Sequence, residues 1–154
     1  MTELATRTAT TADLEVLREL YRGSSLSNQG DRANLLASPE VLHWPGEGLA
    51  AGRTRVVTDG RGRILGFATM VPIEGGLELE DLFVDPPAMR QGVATCLVVD
   101  AVARAETVGL PWIEVTANRH AAEFYASAGF VPVGERQTLF GPAPRLRREV
   151  GPPG

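Results

Sequence analysis

The segment from Arg53 to Val84 constrains the fold more than any other part of the chain, because it alternates apolar runs with glycine-marked turns. Arg53 to Thr58 and Ile64 to Val71 read as strands, and between them lies DGRGR, whose Asp59-Gly60 pair is a strong hairpin signal. A second turn at Glu74-Gly75-Gly76 leads into LELEDLFV, a third strand. Turns this short make neighbouring strands antiparallel, so the middle of the chain is expected to form an antiparallel meander. It ends in VDPPAMRQGVAT, where two prolines stop the strand. From Val93 to Val108 the residues Val93, Leu97, Ala101, Ala105 and Val108 then recur at helical spacing, Asp100 and Arg104 stand four apart, and Gly109 closes the run.

The flanks complete the order. Leu4 to Ala9 reads as an opening strand, followed by a helix with Leu14, Leu17, Leu20 and Tyr21 on one face, Thr11 as N-cap and Gly23 as stop. From Ser24 to Gly48 the periodicity is weak, with a short helix expected over Pro39 to His43. Beyond the long helix come the strand WIEV, a shorter helix with Ala121, Phe124, Tyr125 and Ala128 inward and Gly129 at its end, a strand over Phe130 to Val133, and a last one over RLRREV. This is a mixed α/β chain with a partly antiparallel sheet. At 154 residues it is expected to form one domain over 1–150, with 151–154 a disordered tail.

Composition removes several function classes. The net charge of −4 and pI near 5.2 lack the basic footprint of a nucleic-acid binder. No run of 18 apolar residues exists, and the N-terminus lacks the basic-then-apolar order of a signal peptide, so the expectation is a cytoplasmic protein without a membrane partner. Cys96 is the single cysteine and His43 and His120 are the only histidines, too few for a structural metal. All 15 basic residues are arginine. The chain therefore has no Schiff-base lysine and no Walker lysine.

A helix N-terminus presents unpaired N–H groups and about half an elementary positive charge, so the start of the long helix favours an anion. The small Gly92 and Ala94 leave room for a phosphate, Arg90 adds a cation that can fork onto its oxygens, and a pyrophosphate is the natural guest. The alternative is a tight strand-to-helix turn whose glycine serves only the backbone. A dinucleotide site is disfavoured: Glu114 lies near the spacing of a ribose acid, but two of the three glycines of GxGxxG are missing.

EDLFVDPPAMRQGVATCLV, followed after one helix and one strand by NRHAAEFYASAGF, resembles the two central motifs of the GNAT family of acetyl-CoA-dependent N-acetyltransferases. The second motif, N-x-x-A-x-x-F-Y-x-x-x-G-F, is complete at Asn118, Ala121, Phe124, Tyr125, Gly129 and Phe130. In the first, Q/R-x-x-G-x-G/A, Gly92 and Ala94 fit while Met89 replaces the usual Arg or Gln. The resemblance implies a single mixed, mostly antiparallel sheet flanked by helices and splayed between the fourth and fifth strands. It implies acetyl-CoA as cofactor, the backbone of Leu82, Phe83 and Val84 along the pantetheine arm, and Arg90, Gln91, Gly92, Val93, Ala94 and Thr95 around the pyrophosphate. Asn118 would bond the pantetheine or a catalytic water, with an N-cap as its rival role. Homodimers are frequent in the family.

Acetyl transfer to an amine needs a base for the amine and an acid for the departing thiolate. Period 2 puts Glu78, Glu80, Leu82 and Val84 on one face of their strand and Leu79, Asp81 and Phe83 on the other. By resemblance Glu80, acting directly or through water, is the first candidate base, Asp81 and bulk solvent are the alternatives, and both acids are candidates to hold the substrate. The resemblance also makes Tyr125 the expected general acid, with a core tyrosine on an amphipathic helix as its rival role: a phenol with pKa about 10 stays protonated beside a thiol near 8.5. Cys96 suggests packing, so transfer is direct. Trp44 could line the acceptor pocket. The run Glu74, Glu78, Glu80, Asp81 and Asp85, without a base among them, would attract a small cationic amine. The competing readings are a non-catalytic acetyl-CoA-binding regulator and acetylation of a protein N-terminus.

Overall fold

A computed structural model describes residues 3–27, 33, 36–37, 39–118, 121–138 and 141–150. The tail 151–154 and His120 lie outside them. Strand β1 (Ala5–Thr8) precedes helix α1 (Leu14–Leu26), and a 3-10 turn (Pro39–Leu42) precedes the meander β2 (Thr54–Thr58), β3 (Ile64–Ile73) and β4 (Gly76–Val84). Then follow α2 (Val93–Val108), β5 (Trp112–Thr116), α3 (Ala122–Ser127), β6 (Val131–Thr138) and β7 (Gly141–Glu149). The seven strands form one sheet in the order β1-β2-β3-β4-β5-β7-β6. Only the β4–β5 pair is recorded as parallel; β1–β2, β2–β3, β5–β7 and β6–β7 are antiparallel, giving the expected mixed, mostly antiparallel sheet. The parallel register is short, Leu77↔Ile113 and Glu78↔Glu114.

The chain divides into two compact units, Met1–Thr69 with Asp81–Leu97, and Met70–Glu80 with Val98–Gly154. In the first, Leu17 and Leu20 of α1 pack with Trp44, Leu49, Val56, Ile64 and Phe67, and Leu14, Tyr21 and Phe83 close over the cluster. The β2–β3 turn is longer than a two-residue hairpin: the Asp59 carboxylate accepts the N–H groups of Arg61 (2.9 Å) and Arg63 (3.0 Å), which holds its pKa low. At Gly66 on β3 a Cβ would lie 2.7 Å from Val93 Cγ1 and 2.9 Å from the Phe83 carbonyl oxygen. The missing side chain lets the end of β4 and the start of α2 approach β3.

In the second unit, charge replaces apolar cover on one sheet face. Arg145 forks onto Glu78 (Nη1 to Oε1 2.7 Å) and also donates to the Thr116 hydroxyl at 3.0 Å. Arg147, directly across from Glu114 in the register, donates to it at 3.1 Å while its guanidinium lies 4.2 Å from the Trp112 ring centroid. Arg145 also approaches Glu114 at 3.4 Å, and the Glu78 bond holds the Arg145 pKa above its usual value.

Several expectations need correction. Helix α1 runs through Gly23 to Leu26, and a 3-10 turn over Thr11–Asp13 precedes it, with the Thr10 N–H donating to the Asp13 carboxylate at 2.8 Å. Val108, the last residue of α2, is 62% exposed and does not extend the buried stripe of Val93, Leu97, Ala101 and Ala105. Of the four inward residues expected on and beside α3, only Tyr125 is buried. Phe130 is buried but precedes β6, and both final strands are longer than expected, since β6 continues through the polar Gly134–Thr138 by pairing with β7.

Gly66→Ala should lower stability by about 1–3 kcal/mol, because the clash is with a backbone oxygen that has little freedom to yield; urea unfolding measures it. Glu78→Gln should cost about 2–4 kcal/mol by stranding half-buried Arg145, against under about 1 kcal/mol for Asp85→Asn, whose partner Arg63 is largely exposed at 3.2 Å. Equal losses in the two variants would contradict this ranking.

Candidate active site

The loop between β4 and α2 has an unusual backbone. Arg90 is the one non-glycine residue with positive φ among the described residues, at 66°, and Gly92 follows at 84°. A left-handed arginine costs on the order of 1 kcal/mol, so the turn is held by its surroundings. Gln91 Nε2 donates to the Pro87 carbonyl at 3.3 Å across the loop. The Cys96 N–H donates to the Gly92 carbonyl at 3.0 Å, so the amides of Val93, Ala94 and Thr95 precede the first bonded turn of α2. Apart from its chain neighbours, no atom of the described residues lies within 4 Å of where a Gly92 Cβ would stand. Open space, leading amides and the exposed Arg90 fit a diphosphate. The exposed Met89 adds no donor. Arg90, Gln91, Gly92 and Thr95 are exposed, Ala94 is half-buried and Val93 is buried.

Leu82, Phe83 and Val84 are half-buried on β4. The Asp85 N–H donates to the Leu65 carbonyl at 2.8 Å, so pairing with β3 reaches the end of this strand. The Phe83 ring stands edge-on to Tyr21 at 4.8 Å and 5.6 Å from Phe67.

The two adjacent acids differ sharply. Glu80 is exposed. Asp81, one residue on and therefore on the other face, accepts the Trp44 indole N–H at 2.9 Å. Burial raises the Asp81 pKa above the usual carboxylate range, and hydrogen bonds from Trp44 and Thr69 restrain the rise. Thr69 is buried and its hydroxyl lies 3.0 Å from that of Thr54. Tyr21 is shifted upward by its own burial and then by the Asp81 charge. A desolvated carboxylate on an aromatic wall can take a proton from an amine or hold an ammonium group.

Tyr125 is 4% exposed, in edge contact with Phe124 (5.3 Å) and Phe130 (5.2 Å). Burial pushes its phenol above the ordinary value, so it is protonated throughout the physiological range. The Asn118 Oδ1 accepts the Ala121 N–H at 2.8 Å, just ahead of α3, whose N-cap is Ala121. Cys96 is half-buried, and His43 is exposed.

Three features escaped the sequence. Trp44 was a possible pocket wall, yet its bond to Asp81 spans 37 positions. Gly66, inside the strand read over Ile64 to Val71, carried no local mark of the close approach it permits. Glu114, a weak ribose candidate, is committed to Arg145 and Arg147. The acidic run is also less free than its spacing suggested, since Glu78 and Asp85 both pair with arginines.

A sequence model described as the acetyltransferase (GNAT) domain matches residues 45–141. No curated protein matches the chain significantly. Among solved structures, the PaiA N-acetyltransferase of Thermoplasma acidophilum in complex with coenzyme A superposes with a TM-score of 0.72 at 15% identity, covering 96% of this chain and 99% of that one. An Escherichia coli ribosomal-protein alanine N-acetyltransferase gives 0.71 at 21%, covering 99% and 97%. A nourseothricin acetyltransferase gives 0.59 at 22%, covering 64% and 65%. These likenesses show the fold, and the domain match shows the family: the chain belongs to the GNAT acetyltransferases and is an acetyl-CoA-dependent N-acetyltransferase.

Proposed function

We propose that the chain transfers acetyl directly to a primary amine of a small cationic acceptor, with Asp81 as base and Tyr125 as general acid. Acetyl-CoA supplies an activated thioester. The observation that carries the reading is the Asp81 carboxylate, desolvated and oriented by the indole of Trp44. An alkyl ammonium has a pKa of about 10, so attack on the carbonyl needs the proton removed, and a carboxylate with raised pKa is the better acceptor for it. As the C–S bond breaks, Tyr125, which holds the tyrosine position of the second motif, gives its proton to the sulfur. Glu80, exposed on the opposite face of β4, adds only to the negative field that draws a cationic amine toward this strand.

The amides of Val93 to Thr95, with Gly92 and Arg90, hold the diphosphate, and the backbone of Leu82 to Val84 lines the pantetheine arm. Asn118 shapes the start of α3. We assign the reaction to one domain over 1–150 in the cytoplasm; β3, β4 and α2 each contribute residues to both compact units, which supports a single domain. Among the described residues no helix is long and apolar enough to cross a membrane.

Calorimetry with acetyl-CoA and NAD, then thiol release against polyamines, aminoglycosides, amino acids and a peptide with a free N-terminus, tests the assignment. Turnover on a cationic amine is expected, preference for the peptide would make this an N-terminal acetylase, and binding without turnover would make it a regulator. Tyr125→Phe should lower kcat at least tenfold with unchanged acetyl-CoA affinity; unaltered turnover would remove Tyr125 from the mechanism. Asp81→Asn should abolish the acidic limb of the kcat/KM profile, whereas Glu80→Gln should leave that limb and raise the amine KM. The stability of Asp81→Asn has a definite sign. Because burial raises the folded-state pKa, the carboxyl stabilises the fold fully below its unfolded pKa and loses that contribution as pH rises through the folded one. The variant should therefore have a higher Tm than the parent at pH 7.5 and lose that advantage near pH 3, as scanning calorimetry would show.

A further inference from the structure

We propose that Trp44 is a positioning residue for the acetyl-transfer step: its indole N–H holds the Asp81 carboxylate in one orientation, and Arg18 on α1 holds Trp44 in place. The proposal rests on Asp81 acting as the base. Trp44 is buried, and a buried indole N–H needs an acceptor; here it is Asp81 Oδ2, at 2.9 Å. The Trp44 carbonyl accepts the Arg18 Nε–H at 2.9 Å, and Arg18 is steadied by Glu15 at 3.4 Å. The indole ring also packs on Phe67, 4.8 Å between centroids. Thr69 bonds the same carboxylate from β3 and is backed by Thr54 on β2. Two donors remote in sequence, Trp44 and Thr69, thus converge on one acid, and each is held by a further residue, Arg18 or Thr54.

The chemistry gives this convergence a purpose. An exposed aspartate samples several rotamers, and a base that must meet an amine within hydrogen-bond distance loses rate when it does so. A donor on one carboxylate oxygen fixes the side chain and leaves the remaining lone pairs for the amine proton. It also keeps the acid ionised at a lower pH than burial alone would allow. The titratable neighbours are Tyr21 on α1, which feels the Asp81 charge, and Glu80, adjacent on β4 and directed to the opposite face. Trp44 and Thr69 are the neutral donors.

The chain contains two tryptophans, Trp44 and Trp112, so a ¹⁵N spectrum of the whole protein shows two indole signals that Trp44→Phe assigns. The Trp44 signal should titrate with an apparent pKa above the ordinary carboxylate range, and Asp81→Asn should abolish that titration while the Trp112 signal reports that the fold is intact. In Trp44→Phe the acidic limb of kcat/KM should move upward by about one pH unit, with acetyl-CoA affinity unchanged. Arg18→Met, which spares the core, should move it the same way by less. A Trp44 signal indifferent to Asp81, or a limb unmoved in both variants although Asp81→Asn removes it, overturns the proposal. Retention of the limb in Asp81→Asn would instead refute Asp81 as base, a failure distinct from the indole result.

Discussion

The absence of a side chain at Gly66 is the constraint on which much of the first unit depends. It allows β3 to lie against the Phe83 carbonyl and the first residue of α2, Val93, at distances that a methyl group would forbid. That contact fixes where β4 ends and where α2 begins. The connection between them, Asp85 to Gly92, must then turn sharply into the helix, and it does so through a left-handed arginine and glycine. A loop strained in this way keeps its amides ahead of the helix and leaves the space at Gly92 open, which suits a diphosphate.

Charge is distributed with equal economy. Every cation is an arginine, and arginine alone can fork onto a carboxylate while stacking on an aromatic ring. Arg145 on Glu78 and Arg147 between Glu114 and Trp112 use both abilities, joining β7 to β4 and β5. These pairs consume two of the chain's buried or half-buried acids. Among the described residues Asp81 has no such cation. It meets neutral donors only, so its charge is stabilised just enough to exist and remains chemically available, at a cost to stability that the rest of the fold supplies.

Much of this was legible beforehand. The meander, the long helix over Val93 to Val108 and the complete second motif stand where residue spacing placed them, because turn residues and apolar periodicity act over a few neighbours. Strand β6 was half missed for the opposite reason. Its Gly134–Thr138 portion buries neither face, so it carries no apolar alternation, and its extended form comes from the ladder to β7. Gly23 looked like a stop because glycine is a poor helix former, but the packed face of α1 continues past it with buried Ser24 and the helix runs on to Leu26.

The sequence by itself determined the elements, their order and the family, since each depends on local propensity or on a contiguous motif. It also determined that Glu80 and Asp81 must face opposite ways, a direct result of strand pleating. Only the tertiary structure decided which of the two lies against the aromatic wall, which tryptophan bonds it, and which acids are neutralised by arginines. Desolvation and ion pairing are sums over groups brought together from remote parts of the chain, here Arg18, Trp44, Thr69 and Asp81, and no local spacing encodes such a sum.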